Sequence, residues 1–577
     1  MIQVSAWLRR ISPVLVAFPM VCFLALVLIF ADNIPWMDDL QAFIEFLIEY
    51  TAADSFAEKL HWLLVPNNEH RIVFAKLTTV FFYKLTGTLN FRWLILVGFG
   101  CLLALLLVLF RIFRTLYLPL LAFLPVTFVL FQPQYRLTSF WAITALQHQV
   151  VPMLALWAIY LLANANRPTV FSVRFFGAIG LQLLVSFSNS NGLFGWVAGA
   201  AVLLVQWRLE GTNFLWRLVI WIGLGVLAIL FYFHDFANLQ GNESSLSFLL
   251  KNPHLVFFAF FTFLGGLFDF FPTQGIVVRS ILPTAAGMTL VAILFGLFKT
   301  TLLPSLWQRN RKPVDLKLNH RRYFFVGAYV FLLVNAVVIA VLRPRFGYDV
   351  MLISNYMIYP ALFVILLYLN LLSETRNPER RKQWMMGGIG LGALVWVVMY
   401  FYHLPPLGAQ KLIRQTSVFN QKHNDLGFGA IIGSAYAKAI SQWMHMSTQK
   451  GFYSYPENTF YAPYEQTLLK PVPPADSSFH LLVQESADEF RVITNDWPLP
   501  AGIDDACIIV KSDQHTYLFP AENLFFPVQY YLKRRMPNVS ARVLKSFLYP
   551  GTYQLGLLIV PNGKADIRFS NQFLNVR

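Results

Sequence analysis

The chain has 577 residues, of which 57% are hydrophobic and only 13% charged, and its mean hydropathy is +0.54. Soluble domains run at about 45–50% apolar and about 25% charged, so the composition excludes a soluble enzyme, a disordered chain and a disulfide-stapled secreted scaffold. The formal charge of +16 would suggest nucleic acid in a soluble protein. In a membrane protein it first reports which loops face the cytoplasm, where Lys and Arg are enriched.

Arg9-Arg10 precede an apolar run from Pro13 to Ala31. The run is long enough to span, exceeds a signal-peptide core and lacks a clear A-x-A site, so an uncleaved first span with a cytoplasmic N-terminus is expected. Further spans are expected near 93–110, 116–131, 148–163, 175–188, 193–207, 215–233, 281–298, 323–341, 354–372 and 385–402, eleven in all. The apolar run 254–271 does not fit this count. The segment 299–322 holds seven Lys/Arg against one Asp and should be cytoplasmic, yet a full span at 254–271 would place it outside. That run is therefore expected to lie along the interface or to re-enter, ending at Gly265-Gly266, unless 175–188 and 193–207 form a hairpin that does not cross.

On this topology 19 of the 45 Lys and Arg fall in cytoplasmic segments. The basic excess is mainly topological, and nucleic-acid binding is not supported. Cys22 and Cys101 lie in apolar runs and Cys507 stands alone, so neither a disulfide framework nor a zinc site is expected.

The first outer loop, 32–92, reverses the sign of charge, with eight acids against five bases. Asp38 and Asp39 follow the first span, Glu45 and Glu49 share a face of a helix expected over 40–50, and Glu69-His70-Arg71 stand at the expected start of a second helix. Asn67 or Asn68 is the expected N-cap there, with Glu69 in the positive first turn. Such amphipathic helices would lie flat on the bilayer and hold carboxylates at headgroup height. Each of these acids has a plainer reading as a solvated turn or a cap.

Arg343 and Arg345 sit at an outer edge, where positive charge is not the topological default, and guanidinium forks suit phosphate oxygens. Interfacial snorkelling is the structural alternative. Gln132-Pro133-Gln134-Tyr135-Arg136, Gln147-His148-Gln149 and Ser188-Asn189-Ser190-Asn191 are outer-facing polar groups that suit hydrogen bonding to a sugar or the capping of span ends; His234-Asp235 is a possible acid–base pair of unspecific spacing. Residues 403–450 form a helical connector patterned over 407–447. From 451 to 577, FHLLVQ, FRVITN, ACIIVK, TYLF, TYQLGLLIV and ADIRFS between turn residues signal a soluble β sandwich.

WMDDLQAF, NNEHRIVFAKL, SFSNSNGLFGW and RPRFGYDVMLISNY, in this order along residues 1–402, resemble the GT-C superfamily of membrane glycosyltransferases, and most nearly its bacterial polyprenyl-phosphate-sugar-dependent members. Related sequences often carry Ser-Arg-Tyr where this chain has Ser354-Asn355-Tyr356, which removes one phosphate ligand. The resemblance implies a GT-C-like transmembrane domain over 1–402 in a bacterial inner membrane, with the C-terminal domain periplasmic. It also implies inverting transfer of a sugar from a polyprenyl-phosphate donor to a cell-surface glycan or lipid-linked acceptor. Asp38 or Asp39 would be the general base. Arg343, Arg345, Arg71 and His70 would hold the donor phosphate, and Glu69, Tyr356, Gln147, His148 and Asn191 would contact substrate. No cofactor is expected, with a divalent cation on Asp38, Asp39 and Glu69 as the alternative. Competing classes are a lipid-linked glycan transporter or flippase, which would favour charged mid-span residues and internal repeats, and a surface-glycan polymerase or ligase, which would place its main loop late.

Overall fold

The computed structural model describes residues 5–165, 172–210, 213–234, 244–303, 316–429, 431–471, 474–495, 499–500, 503–522, 527–532 and 538–576. Arg167, Asp235 and half of the basic 299–322 segment (304–315) lie outside the described residues. The chain divides into two compact units, Met1–Ile29, Ser55–Thr78 and Leu94–Tyr400 in one, Phe30–Asp54, Thr79–Trp93 and Phe401–Arg577 in the other. The expected linear division at 402 thus differs from the observed one, because parts of the first loop pack with the C-terminal residues.

Among the described residues nine helices are long and apolar enough to cross a membrane: Ala6–Phe30, Phe91–Arg114, Ala142–Ala163, Ser190–Leu209, Leu215–Phe233, Ile276–Thr301, His320–Leu342, Ser354–Glu374 and Pro378–Asn424. The chain is a multi-helix membrane protein with a C-terminal β region.

Two of the eleven expected spans are shorter than expected. Over 116–131 the helical stretch is a 3-10 turn, Leu120–Phe123, running into Leu124–Leu130. Pro119 precedes it, and Pro133 holds Gln132 in an extended conformation just after it. The second is Val173–Ser186, whose 14 residues rise only about 21 Å against a hydrocarbon core of about 30 Å.

The run 254–271 follows a sharp bend and is α-helical only as far as Leu264. Ser245–Lys251 and Pro253–Leu264 meet at 104°, and the second helix ends with Gly265 as its C-cap. It packs on Ile276–Leu297 with backbone nearly touching backbone: a Cβ on Gly287 would collide with the Phe261 carbonyl, and one on Gly265 with that of Pro283. Small residues allow that approach between apolar helices.

The long helix Pro378–Asn424 contains Pro405 and Pro406 in the part that belongs to the second unit. Pro405 has no N–H for the Phe401 carbonyl one turn earlier, and the Tyr531 hydroxyl donates to that carbonyl instead (3.1 Å). The helix over 40–50 is present as a π turn, Leu40–Glu45, continued by Phe46–Ala52. Leu40, Phe43, Ile44 and Leu47 are buried inside the unit, where the helix packs on Ala435–Gln449, so these residues face protein rather than the bilayer.

The C-terminal residues form two antiparallel sheets. One has the order β1 (His480–Glu485), β2 (Glu489–Asn495), β5 (Ser540–Leu544); the other has β4 (Thr516–Pro520), β3 (Ile503–Lys511), β6 (Gly551–Pro561), β7 (Asp566–Val576). Leu481, Val492 and Val543 of the first sheet share a core with Ile508, Leu557 and Leu574 of the second, so the two sheets make a sandwich. The four-stranded sheet is buried on its other face as well, where Cys507, Ile509 and Leu558 pack against Phe419, Tyr461 and Leu468. Two-sided burial accounts for the unbroken apolar runs ACIIV and LGLLIV, which do not alternate. All three cysteines are free.

Candidate functional site

The residues around Glu69-His70-Arg71 do not begin a helix. Asn67 and His70 exchange both backbone hydrogen bonds (2.8 and 3.0 Å) across a two-residue turn, with Asn68 in the left-handed region at φ 49°, and the helix starts only at Val73. Asn tolerates that conformation better than most residues. Glu69 is therefore a turn residue and not a helix cap.

Arg71 turns away into the protein. Its guanidinium donates to the carbonyls of Tyr232 (2.9 Å), His234 (2.6 Å) and Leu64. Two of these acceptors close the end of the Leu215–Phe233 helix, where a cation complements the dipole. Lys76 acts similarly on the carbonyls of Trp62 and Val65, both at 2.8 Å.

His70 belongs to a second grouping in the same helical unit. His148 lies in a π turn, Ala145–Gln149, and is 8% exposed. Its ring meets Tyr356 edge-on at 5.4 Å and Tyr359 at 6.3 Å. The Arg343 guanidinium stands 6.0 Å from the Tyr356 ring, and Arg343 forms no ion pair among the described residues. Asn191 donates to the Tyr359 hydroxyl at 3.5 Å, and Glu69 is within electrostatic reach of Tyr356. Burial and then the Arg343 charge push His70 down to about 4, so its imidazole is neutral at physiological pH. The Nδ1 atoms of both His70 and His148 are buried without a hydrogen-bond partner. The arrangement is one fixed cation and two imidazole edges walled by two tyrosines, which suits a hydrogen-bond acceptor carrying negative charge.

Of the other expected contacts, Gln147 is buried in the same π turn as His148. Arg345 stacks on the exposed Phe346 at 4.6 Å. Gly347 lets the chain turn between these residues at φ 118°, a conformation L side chains rarely adopt.

A buried cluster near Ser354 was not anticipated from sequence as a unit. Arg279 donates twice to Asp269 Oδ2 (2.9 and 2.6 Å) and to the Leu352 carbonyl (3.1 Å). Burial, with the Arg279 charge second, lowers Arg136 to about 10. Burial raises the Asp269 carboxyl, and Arg279 opposes that shift. The Ser354 hydroxyl is committed between the Gln134 carbonyl (2.7 Å) and the Leu137 N–H (3.1 Å). Arg136 was the only one of the two arginines in a motif the sequence singled out; Asp269 lies in the turn after Pro253–Leu264 and Arg279 in the first turn of Ile276–Leu297, so their pairing joins that turn to the next helix.

Asp38 and Asp39 lie in the other unit and differ from each other. Met37 before them is left-handed at φ 45°. Asp39 is 1% exposed, accepts the Trp36 N–H at 3.0 Å and is within electrostatic reach of Arg414. Asp38 is partly exposed, and like Glu45 it lies within electrostatic reach of Tyr436. Asp32 nearby is raised by burial, which Arg414, Lys411 and Arg92 oppose. Among the described residues no group of three or more His, Cys, Asp or Glu is placed to hold a metal ion.

No family model, curated protein or solved structure matches the chain.

Proposed function

We propose that the chain is a GT-C-type glycosyltransferase that moves a sugar from a polyprenyl phosphate to a cell-surface glycan or lipid-linked acceptor at the periplasmic face of a bacterial inner membrane. The observation that carries this reading is the grouping of His70, His148, Arg343, Tyr356, Tyr359 and Asn191. They come from four segments far apart in sequence, and five of the six are residues for which the family resemblance implies phosphate or substrate contact.

In this reading a carboxylate takes the acceptor hydroxyl's proton while that oxygen bonds to the anomeric carbon. The bond from the anomeric carbon to the phosphate oxygen breaks, and the phosphate leaves with the electron pair. Direct displacement inverts the anomeric centre. Arg343 stabilises the charge that grows on the phosphate, and the imidazoles of His70 and His148 each offer it an N–H. Asp38 is the better base of the pair, because Asp39 is buried and holds the Trp36 N–H. Positioned acid–base help of this kind is worth about 10²–10⁴-fold in rate.

The test is transfer from a panel of polyprenyl-phosphate sugars to purified surface glycan by the full-length protein in nanodiscs. Turnover that Asp38→Asn abolishes without loss of folding supports the reading. Full activity in Asp38→Asn, Asp39→Asn and the double variant would remove the proposed base.

A further inference from the structure

A cleft of about 800 Å³ lies at the end of the helical unit that the positive-inside pattern assigns to the cytoplasm. Three separate segments wall it: the first turns of Ala6–Phe30, the loop 116–121, and the turn between Ser354–Glu374 and Pro378–Asn424. They bring in Arg9, Arg376 and Arg381, and no acid lines the cleft among the described residues. Glu374, close by in sequence, is committed to Arg322 at 2.9 Å.

Arg381 and Arg376 have guanidinium groups open to a ligand. Arg381 donates its Nε to the Leu372 carbonyl (2.8 Å), which fixes the plane of the fork, and its terminal nitrogens make no hydrogen bond among the described residues. Arg376 is exposed and forms no ion pair among the described residues. The helix start beside them is capped by Asn377, which accepts the N–H groups of Glu379 (2.9 Å) and Arg380 (3.2 Å), and its dipole adds positive potential. The rest of the lining is mostly apolar, with Leu8, Leu116 and Leu120 among it.

We propose that this cleft binds the headgroup phosphate of an anionic phospholipid, with the glycerol and upper acyl chains along the leucines. Like charges around one cleft repel, and a phosphate neutralises them through bidentate contacts that arginine makes better than lysine. Basic pockets between helices on the cytoplasmic side recognise anionic lipids in this way. The apolar share of the wall favours a lipid over a free phosphate ion. The inference is independent of the catalytic reading, since none of these residues belongs to that site.

The test uses the full-length protein in neutral detergent, with apparent Tm followed on titration with phosphatidylglycerol, phosphatidylcholine or inorganic phosphate. Phosphatidylglycerol should raise Tm where the other two do not. In Arg9→Gln/Arg376→Gln, two exposed positions, the apparent affinity should fall about 25-fold, at about fivefold per arginine. If that double variant fails to fold, Arg376→Gln alone should show the fivefold loss. An equal rise with phosphatidylcholine, an equal rise with inorganic phosphate, or unchanged phosphatidylglycerol affinity in the variants would overturn the proposal.

Discussion

Arg343 and Arg71 were both expected to bind phosphate, and their surroundings now separate them. Arg71→Gln leaves three backbone carbonyls without their cationic donor. At about 1.5 kcal/mol for each hydrogen bond to a charged group, the loss is about 4–5 kcal/mol of stability, read as a clear fall in apparent Tm. Arg343→Gln removes no ion pair and only a ring contact at 6.0 Å, so its Tm should change little. Its cost should appear in transfer, where one charge-assisted contact to the phosphate is worth about 1.5–3 kcal/mol, or about 10- to 150-fold in kcat/KM. The assay pairs sugar transfer with a thermal melt on the same preparations. Unchanged kcat/KM in Arg343→Gln, or a Tm loss in it equal to that of Arg71→Gln, would refute the reasoning.

Asp39→Asn should lower Tm, since it disturbs a buried carboxylate bonded to Trp36, whereas Asp38→Asn should lower kcat by about 10²–10⁴-fold with Tm unchanged; the opposite pattern would exchange their roles. His70 sits near 4 in the folded protein against 6.5 when free, so between those values the unfolded chain binds a proton that the folded one refuses. Its contribution to stability is complete above about pH 6.5 and is lost as pH falls toward 4, and His70→Gln should flatten Tm against pH over that window. An unchanged slope would count against the buried, neutral imidazole. Gly287→Ala should destabilise because its Cβ meets the Phe261 carbonyl, while Gly296→Ala on the same helix has open space and should be neutral or gain about 0.5–1 kcal/mol. Equal melts for the two would argue against the close helix approach.

The apolar helices were legible because their length and hydropathy are local properties, and β1, β2, β3, β4, β6 and the first part of β7 because short runs sat between turn residues. β5 was missed: Ser540–Leu544 is five residues with Arg542 in the middle, and its burial comes from the second sheet. The short forms at 120–130 and 173–186 turn on flanking prolines and caps, which hydropathy does not weigh. Within the candidate site, Arg343, His148, Tyr356 and Asn191 were picked out singly, but their meeting is a tertiary fact. The use of Arg71 was unreadable for the same reason, since backbone carbonyls leave no mark in sequence. Asp269 and Arg279 stand ten residues apart on either side of a turn, and their pairing is likewise a tertiary fact.

The most direct test is an experimental structure of the full-length protein with a bound polyprenyl phosphate. The account predicts phosphate oxygens at about 2.7–2.9 Å from the Arg343 guanidinium, with a ring nitrogen of His70 or His148 also donating. A phosphate bound elsewhere, with Arg343 and both imidazoles unengaged, would contradict it.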